Sequence, residues 1–143
     1  MSTQNLIAEA ERTIEVSIDT VWKALIDPAL IKDYMFGTTV ISDWTKGSSI
    51  TWKGEMKGKK YEDKGEILEV IPEKELKYSH FSPLSGQPDK PENYHTVDIT
   101  LKAEKDQTVI KLTQDKNGSE KSKKEAEQNW NLMLDSLKKL LEK

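Results

Sequence analysis

His80 and His95 are the two side chains of this sequence whose ordinary pKa lies close to neutrality. Across Glu75 to Phe81, His80 alternates in phase with Leu76 and Tyr78, so it faces the same side as an apolar wall. An inward histidine beside a tyrosine can carry protons, but a lone inward histidine is more often a hydrogen-bonded core residue. His95 opens the following strand, close to a proline-rich connection. Two histidines without an acidic helix motif, in a chain without cysteine, give no credible metal site. The absence of cysteine also excludes a thiolate nucleophile and a disulfide framework. There is no nucleophile elbow, no phosphate loop and no G-x-G-x-x-G. Asp63, Glu66 and Glu69 alternate imperfectly along one segment and read as a solvated strand face.

Aromatic residues are the second chemical resource: Trp22, Tyr34, Phe36, Trp44, Trp52, Tyr78, Phe81 and Trp130. Most belong to an ordinary core. Four tryptophans are nevertheless dense for a chain with 33% charged residues. Aromatics joined by adaptable methionines such as Met56 or Met133, with a few polar tips, are the usual lining of a small-molecule site.

These residues need elements to position them, and the last stretch supplies the dominant one. Trp130, Met133, Leu134, Leu137, Leu140 and Leu141 share one face at helical spacing, while Lys121, Lys124, Gln128, Asp135, Lys138 and Glu142 lie opposite. The spacing predicts a helix over Ser119 to Glu142, with Ser119 as its cap and Asn117-Gly118 breaking the chain before it. Such a helix requires a broad apolar partner, because its stability comes mainly from packing. The partner must be the strands upstream.

Those strands begin at Leu6 to Ile18, where Ile14, Val16 and Ile18 point one way. Val21, Trp22 and Leu25 then follow at helical spacing, with Ser17 or Asp19 as cap. Asp27-Pro28 ends that helix and starts a second, through Tyr34, which Gly37 closes. Leu30, Tyr34 and Phe36 are expected to face inward. Strand patterns follow at Thr39 to Trp44, Ser49 to Met56, Lys60 to Val70, Glu75 to Phe81, Tyr94 to Ala103 and Thr108 to Gln114. Gly65 inside the third predicts a bulge or a close backbone approach. Hairpin-length turns imply antiparallel pairing. Ser82 to Asn93 is the exception: twelve residues with three prolines and one glycine, read either as a mobile surface loop or as a lid.

Composition narrows the setting. A chain of 143 residues is one domain, large enough for a core of its own. Arg12 is the single arginine among 22 basic residues, and the net charge is −3, which argues against nucleic-acid binding. The N-terminus has no apolar signal core, and no run approaches the length of a membrane span. A cytoplasmic location is the simplest expectation.

The order of elements resembles the START-like helix-grip fold. Ile14 to Phe36, IEVSIDTVWKALIDPALIKDYMF, is similar to the opening of the family named after the activator of Hsp90 ATPase homologue, with its V-W-x-A-L helix and D-P-x-x-L-x-x-W/Y turn. Gly65 to Pro72 followed by Leu76-Lys77-Tyr78 resembles the G-x-V-L-E-x-x-P…L-x-Y segment. Asn129-Trp130 with Leu134 and Leu137 resembles the final-helix pattern G-W-x-x-x-L-x-x-L. The resemblance implies an α+β helix-grip domain over residues 1–143. In it, an antiparallel sheet of six to seven strands curls around the long C-terminal helix, with two short helices after the first strand. It also implies a cavity between sheet and helix, where Trp52, Tyr78 and Trp130 would face one another.

Tyr34, Phe36, Trp52, Met56, Tyr78, His80, Trp130 and Met133 are therefore the candidate ligand-binding residues. The expected partner is a small apolar or amphipathic molecule, with no cofactor and no metal. The alternatives are a cyclase- or hydratase-type enzyme using His80 and Tyr78 as acid–base groups, or a protein-interaction module resembling the co-chaperone domain.

Overall fold

A computed structural model describes residues 6–56, 58–83, 87–117 and 119–142. Strand β1 (Leu6–Ile14) leads into helices α1 (Ile18–Ile26) and α2 (Pro28–Tyr34). Strands β2 (Thr39–Ser42), β3 (Ser49–Met56), β4 (Lys59–Ile71), β5 (Glu75–His80), β6 (His95–Glu104) and β7 (Gln107–Asn117) follow, and helix α3 (Glu120–Leu141) ends the chain. The seven strands form one sheet in the order β1-β7-β6-β5-β4-β3-β2, with every neighbouring pair antiparallel.

Local chemistry accounts for the boundaries. Asp27 separates the two short helices and caps the second, its Oδ1 accepting from Ala29 N at 3.0 Å with Pro28 in the first turn. Ser119 caps α3 by accepting from Ser122 N at 3.1 Å. Ser17 holds the cap position of α1, but its hydroxyl bonds to Asp19 and Thr20 rather than to the helix backbone. Helix α1 begins at Ile18, four residues after β1 ends, so the strand is shorter at this end than its alternation suggests. Strand β7 instead runs three residues further than expected, to Asn117.

Helix α3 packs along the edge strand β1. Glu127 Oε2 accepts from Glu9 N at 3.0 Å, and Glu142 Oε2 accepts from Glu15 N at 2.7 Å. Between them Arg12 pairs with Asp135 at 2.7 Å, and Lys138 Nζ donates to Thr13 O at 2.8 Å. Six strand residues rise about 20 Å and fifteen helical residues about 22 Å, so helix and strand run side by side and stay in step. The helix side chains thereby occupy edge groups that would otherwise invite another strand.

The core fills the space between the sheet and the helices. Ile14, Val21, Ile50, Ile67, Val97, Ile110, Leu112, Leu134 and Leu137 are almost wholly buried. On α3 the buried residues are Met133, Leu134 and Leu137, with Trp130 half-buried one turn before them; the ten residues before Trp130 are exposed or half-buried, so only the second half of the helix grips. Phe36 departs from the inward expectation and is 70% exposed. It takes a left-handed backbone (φ 57°) just after α2, followed by Gly37 (φ 91°), and this reversal turns its side chain to solvent.

Gly65 meets the close-approach expectation. A methyl group there would lie 2.6 Å from the carbonyl carbon of Ser79, and nearer still to its oxygen. The register shift in β4 falls separately, between Ile67 and Glu69.

The proline-rich connection carries its own bonding. Phe81 bridges to Lys64 and stacks on Tyr94 with ring centroids 5.1 Å apart. Tyr94 Oη donates to Asp89 Oδ1 at 2.6 Å, Lys64 pairs with Asp89, and Asn93 Nδ2 donates to Pro88 O at 2.8 Å beside a 3-10 turn at Pro91–Asn93. Residues 84–86 of this connection lie outside the described residues.

Candidate functional site

Two gaps among the described residues lie against the inner face of the sheet and reach α3 at Met133 and at Trp130. The inner one, about 20 Å³, is apolar and is bounded by Leu25, Tyr34, Leu76, Ile99 and Met133 among others. It has room for about one water and no larger group, so this part of the interior is nearly filled. The outer one is a cleft of about 90 Å³, lined by Met35, Thr38, Trp52, Tyr61, Asp63, Tyr78, His80 and Trp130.

Strand alternation delivers this lining. Tyr61 and Asp63 are two apart on β4, and Tyr78 and His80 two apart on β5, so each pair faces one side. Trp52 lies directly across from Asp63 in the β3–β4 register. Its ring contacts Tyr78 at 5.1 Å and His80 at 5.0 Å between centroids. Gly54 makes room for the ring of Tyr61, which a methyl group there would strike. Trp130 closes the cleft from the helix, its Nε1 donating to Gln114 Oε1 at 2.7 Å.

The polar wall centres on His80 and Asp63, with Nε2 and Oδ2 2.9 Å apart and both side chains mostly covered. The other carboxylate oxygen, Asp63 Oδ1, is buried and has no hydrogen-bond partner among the described residues. Thr38 Oγ1 bonds to Met35 O at 2.7 Å and to Tyr61 Oη at 2.6 Å. Burial pushes the Tyr78 phenol well above its ordinary value, so it stays protonated at neutral pH. Tyr34 shifts the same way, chiefly through burial and then through Tyr78. Its hydroxyl donates to Ala24 O at 2.9 Å, which ties α2 to α1.

Of the eight candidate residues, Trp52, Tyr78, His80 and Trp130 line the outer cleft, while Tyr34 and Met133 border the inner gap with Trp52 and Tyr78. Phe36 lines neither, and the side chain of Met56 lies outside the described residues. Sequence reasoning missed Tyr61, Thr38, Met35 and above all Asp63, which is not a solvated strand residue. Its parity with Tyr61 and Ile67 was the available signal, since Ile67 is fully buried on the same face. His95 stands directly across from His80 in the β5–β6 register but lines neither gap, and its Nδ1 lies 2.8 Å from Asp115 O. No described residue of the proline-rich connection lines either gap. Among the described residues there is no cluster of three metal-ligating side chains, and no helix is long and apolar enough to cross a membrane.

A seven-stranded antiparallel sheet gripping a long C-terminal helix, with two short helices after β1, defines the helix-grip class of α+β domains. Residues 15–142 match the family of Activator of Hsp90 ATPase homolog 1-like proteins, and the chain belongs to that family. It is 57% identical to a Cytophaga hutchinsonii protein of known solution structure, with a TM-score of 0.86, covering 99% of this chain and 97% of that one. CalU16 of Micromonospora echinospora shares the fold at 21% identity and a TM-score of 0.74, over 99% of this chain and 84% of its own. The Aha1 dimer of Colwellia psychrerythraea shares it at 18% identity and a TM-score of 0.73, over 95% and 96%. No curated protein sequence matches the chain. In general terms, the family is one of ligand-binding or polyketide cyclase-like fold.

Proposed function

We propose that the protein binds a small amphipathic molecule in the outer cleft between the sheet and α3. The observation that carries this reading is the convergence of Trp52 and Tyr78 from the sheet and Trp130 from the helix on the half-buried Asp63–His80 pair. The cleft is smaller than the roughly 300–1,000 Å³ of drug-sized sites, so a small molecule, or one end of a longer one, suits it better than a whole lipid. A neutral naphthalene dye should bind saturably to the native protein and change the indole fluorescence at the same midpoint. Met35 lies half-buried beside both gaps, and Met35→Trp should block the cleft with little effect on melting. Dye binding that Met35→Trp leaves untouched would place the ligand elsewhere. Absence of binding would favour a surface that engages protein partners.

The Asp63–His80 contact favours a second reading, acid–base chemistry of cyclase or hydratase type in the same cleft. A carboxylate bonded to one ring nitrogen orients the imidazole and selects its tautomer. In that reading, Tyr78 serves as a neutral hydrogen-bond donor. Turnover lost in His80→Ala with ligand affinity retained would support catalysis; retained turnover would exclude His80 as the acid–base group.

A further inference from the structure

The polar wall of the outer cleft is one-sided in its hydrogen bonding. Thr38 Oγ1 donates to Met35 O, which commits its only proton. The contact between Thr38 Oγ1 and Tyr61 Oη is therefore donated by the tyrosine. Both protons run toward the backbone of Met35, and Tyr61 keeps only oxygen lone pairs for other partners. At Asp63, Oδ2 is engaged by His80, while Oδ1 is buried without a partner among the described residues. A buried acceptor lacking a donor is destabilising, so the site carries an unmet demand for N–H or O–H groups. The indole N–H of Trp130 cannot meet it, being given to Gln114.

The rest of the lining is aromatic. Trp52, Tyr78 and Trp130 surround this acceptor wall. Aromatic rings attract cations through the negative potential of their faces, most strongly at tryptophan. Acceptors and rings in one cleft select the same kind of group, one rich in donors and positively charged. An anion would be repelled by the Asp63 carboxylate and the lone pairs of Tyr61, which the single proton of the neutral Tyr78 hydroxyl does not offset.

We propose that the outer cleft holds the ammonium group of a small protonated amine, its N–H bonds directed to Asp63 Oδ1 and Tyr61 Oη and its charge set among Trp52, Tyr78 and Trp130. This assignment rests on the small-molecule reading of the cleft and names the ligand class within it. A dry cavity of about 150 Å³ accommodates benzene, so a cleft of about 90 Å³ takes the ammonium and its first carbons. The apolar remainder of the molecule then lies beside Met35.

Benzylamine, benzyl alcohol and benzoate share a ring and differ in the group offered to the cleft. Titrated into the full chain, with indole fluorescence and saturation-transfer NMR as readouts, benzylamine should bind on the order of tenfold more tightly than the alcohol, and benzoate most weakly. Asp63→Asn should bring the amine down to the affinity of the alcohol and leave the alcohol unchanged. Tyr61→Phe serves as a second variant that leaves every carboxylate in place, and in it the gap between amine and alcohol should narrow. Equal affinity of amine and alcohol for the native protein overturns the ammonium assignment and leaves the small-molecule reading standing. An amine preference undiminished in both variants overturns the acceptor wall as its cause. Binding by none of the three removes the assignment, and the dye titration then decides separately whether the cleft binds anything.

Discussion

Gly65→Ala is expected to damage the fold and the site together. The added methyl would lie 2.6 Å from the Ser79 carbonyl carbon and 3.3 Å from His80 N. Both are backbone atoms, so no side-chain rotation relieves the clash. Carbon–carbon contacts are comfortable from about 3.5 Å, so β4 and β5 must part by about 1 Å at this point. Three bonds hold the strands here: Lys64 N to Phe81 O at 3.0 Å, Phe81 N to Lys64 O at 2.8 Å, and Glu66 N to Ser79 Oγ at 2.9 Å. Parting of that size takes all three beyond hydrogen-bond range. At about 0.5–1.5 kcal/mol each, the loss is about 1.5–4.5 kcal/mol, a large share of a typical stability of about 5–15 kcal/mol. Asp63 and His80 stand on either side of the same clash, so their 2.9 Å contact should lengthen as well. Equilibrium urea unfolding measures the first effect, and imidazole NMR shifts report the second. Gly54→Ala is the control, because its methyl meets only the movable Tyr61 side chain. A Gly65→Ala protein within about 0.5 kcal/mol of the parent, with unchanged histidine shifts, would refute the reasoning.

Removing α3 by truncation after Gly118 should abolish cooperative unfolding. Met133, Leu134 and Leu137 are buried to at least 95%, and each contributes about 1.5–3 kcal/mol; a sharp melt in calorimetry would contradict this. Met133→Trp should lower the melting temperature by the equivalent of about 1–3 kcal/mol, because the adjoining gap is only about 20 Å³ and the larger ring overpacks it. An unchanged melt would mean that the interior has room that the inner gap does not show. The contact between α3 and β1 should weaken in acid. Asp135 is held below the usual carboxylate range by its hydrogen bond from Arg12, and Glu142 by that from Lys138. Lowered folded values contribute stability above the ordinary carboxylate range, and it is lost as pH falls through them. The stability gap between the parent and Asp135→Asn/Glu142→Gln, read by urea midpoint, should therefore shrink toward acid pH. A constant gap would show that these carboxylates do not act through their charge.

Helices and strands were legible because their periods are local. The spacing of Trp130 to Leu141 names the buried face of α3 without reference to anything else, and Ser119 and Asp27-Pro28 mark ends by their own hydrogen-bonding chemistry. Gly65 announced a close approach, since a glycine inside a strand leaves space that another backbone can enter. Phe36 was misread because its direction depends on a left-handed turn rather than on the period of α2.

The sheet and helix that would form a binding site, and the aromatic residues facing across it, were thus determined by sequence pattern and family resemblance together. Tertiary structure decided the nature of the site. Asp63 and His80 lie 17 residues apart, and only the pairing of β4 with β5 brings them within 2.9 Å. Volume is still less local. Periodicity says which side chains point inward, but whether they leave space depends on how all of their shapes meet. Here they close the interior beside Met133 to about 20 Å³ and leave about 90 Å³ beside Asp63.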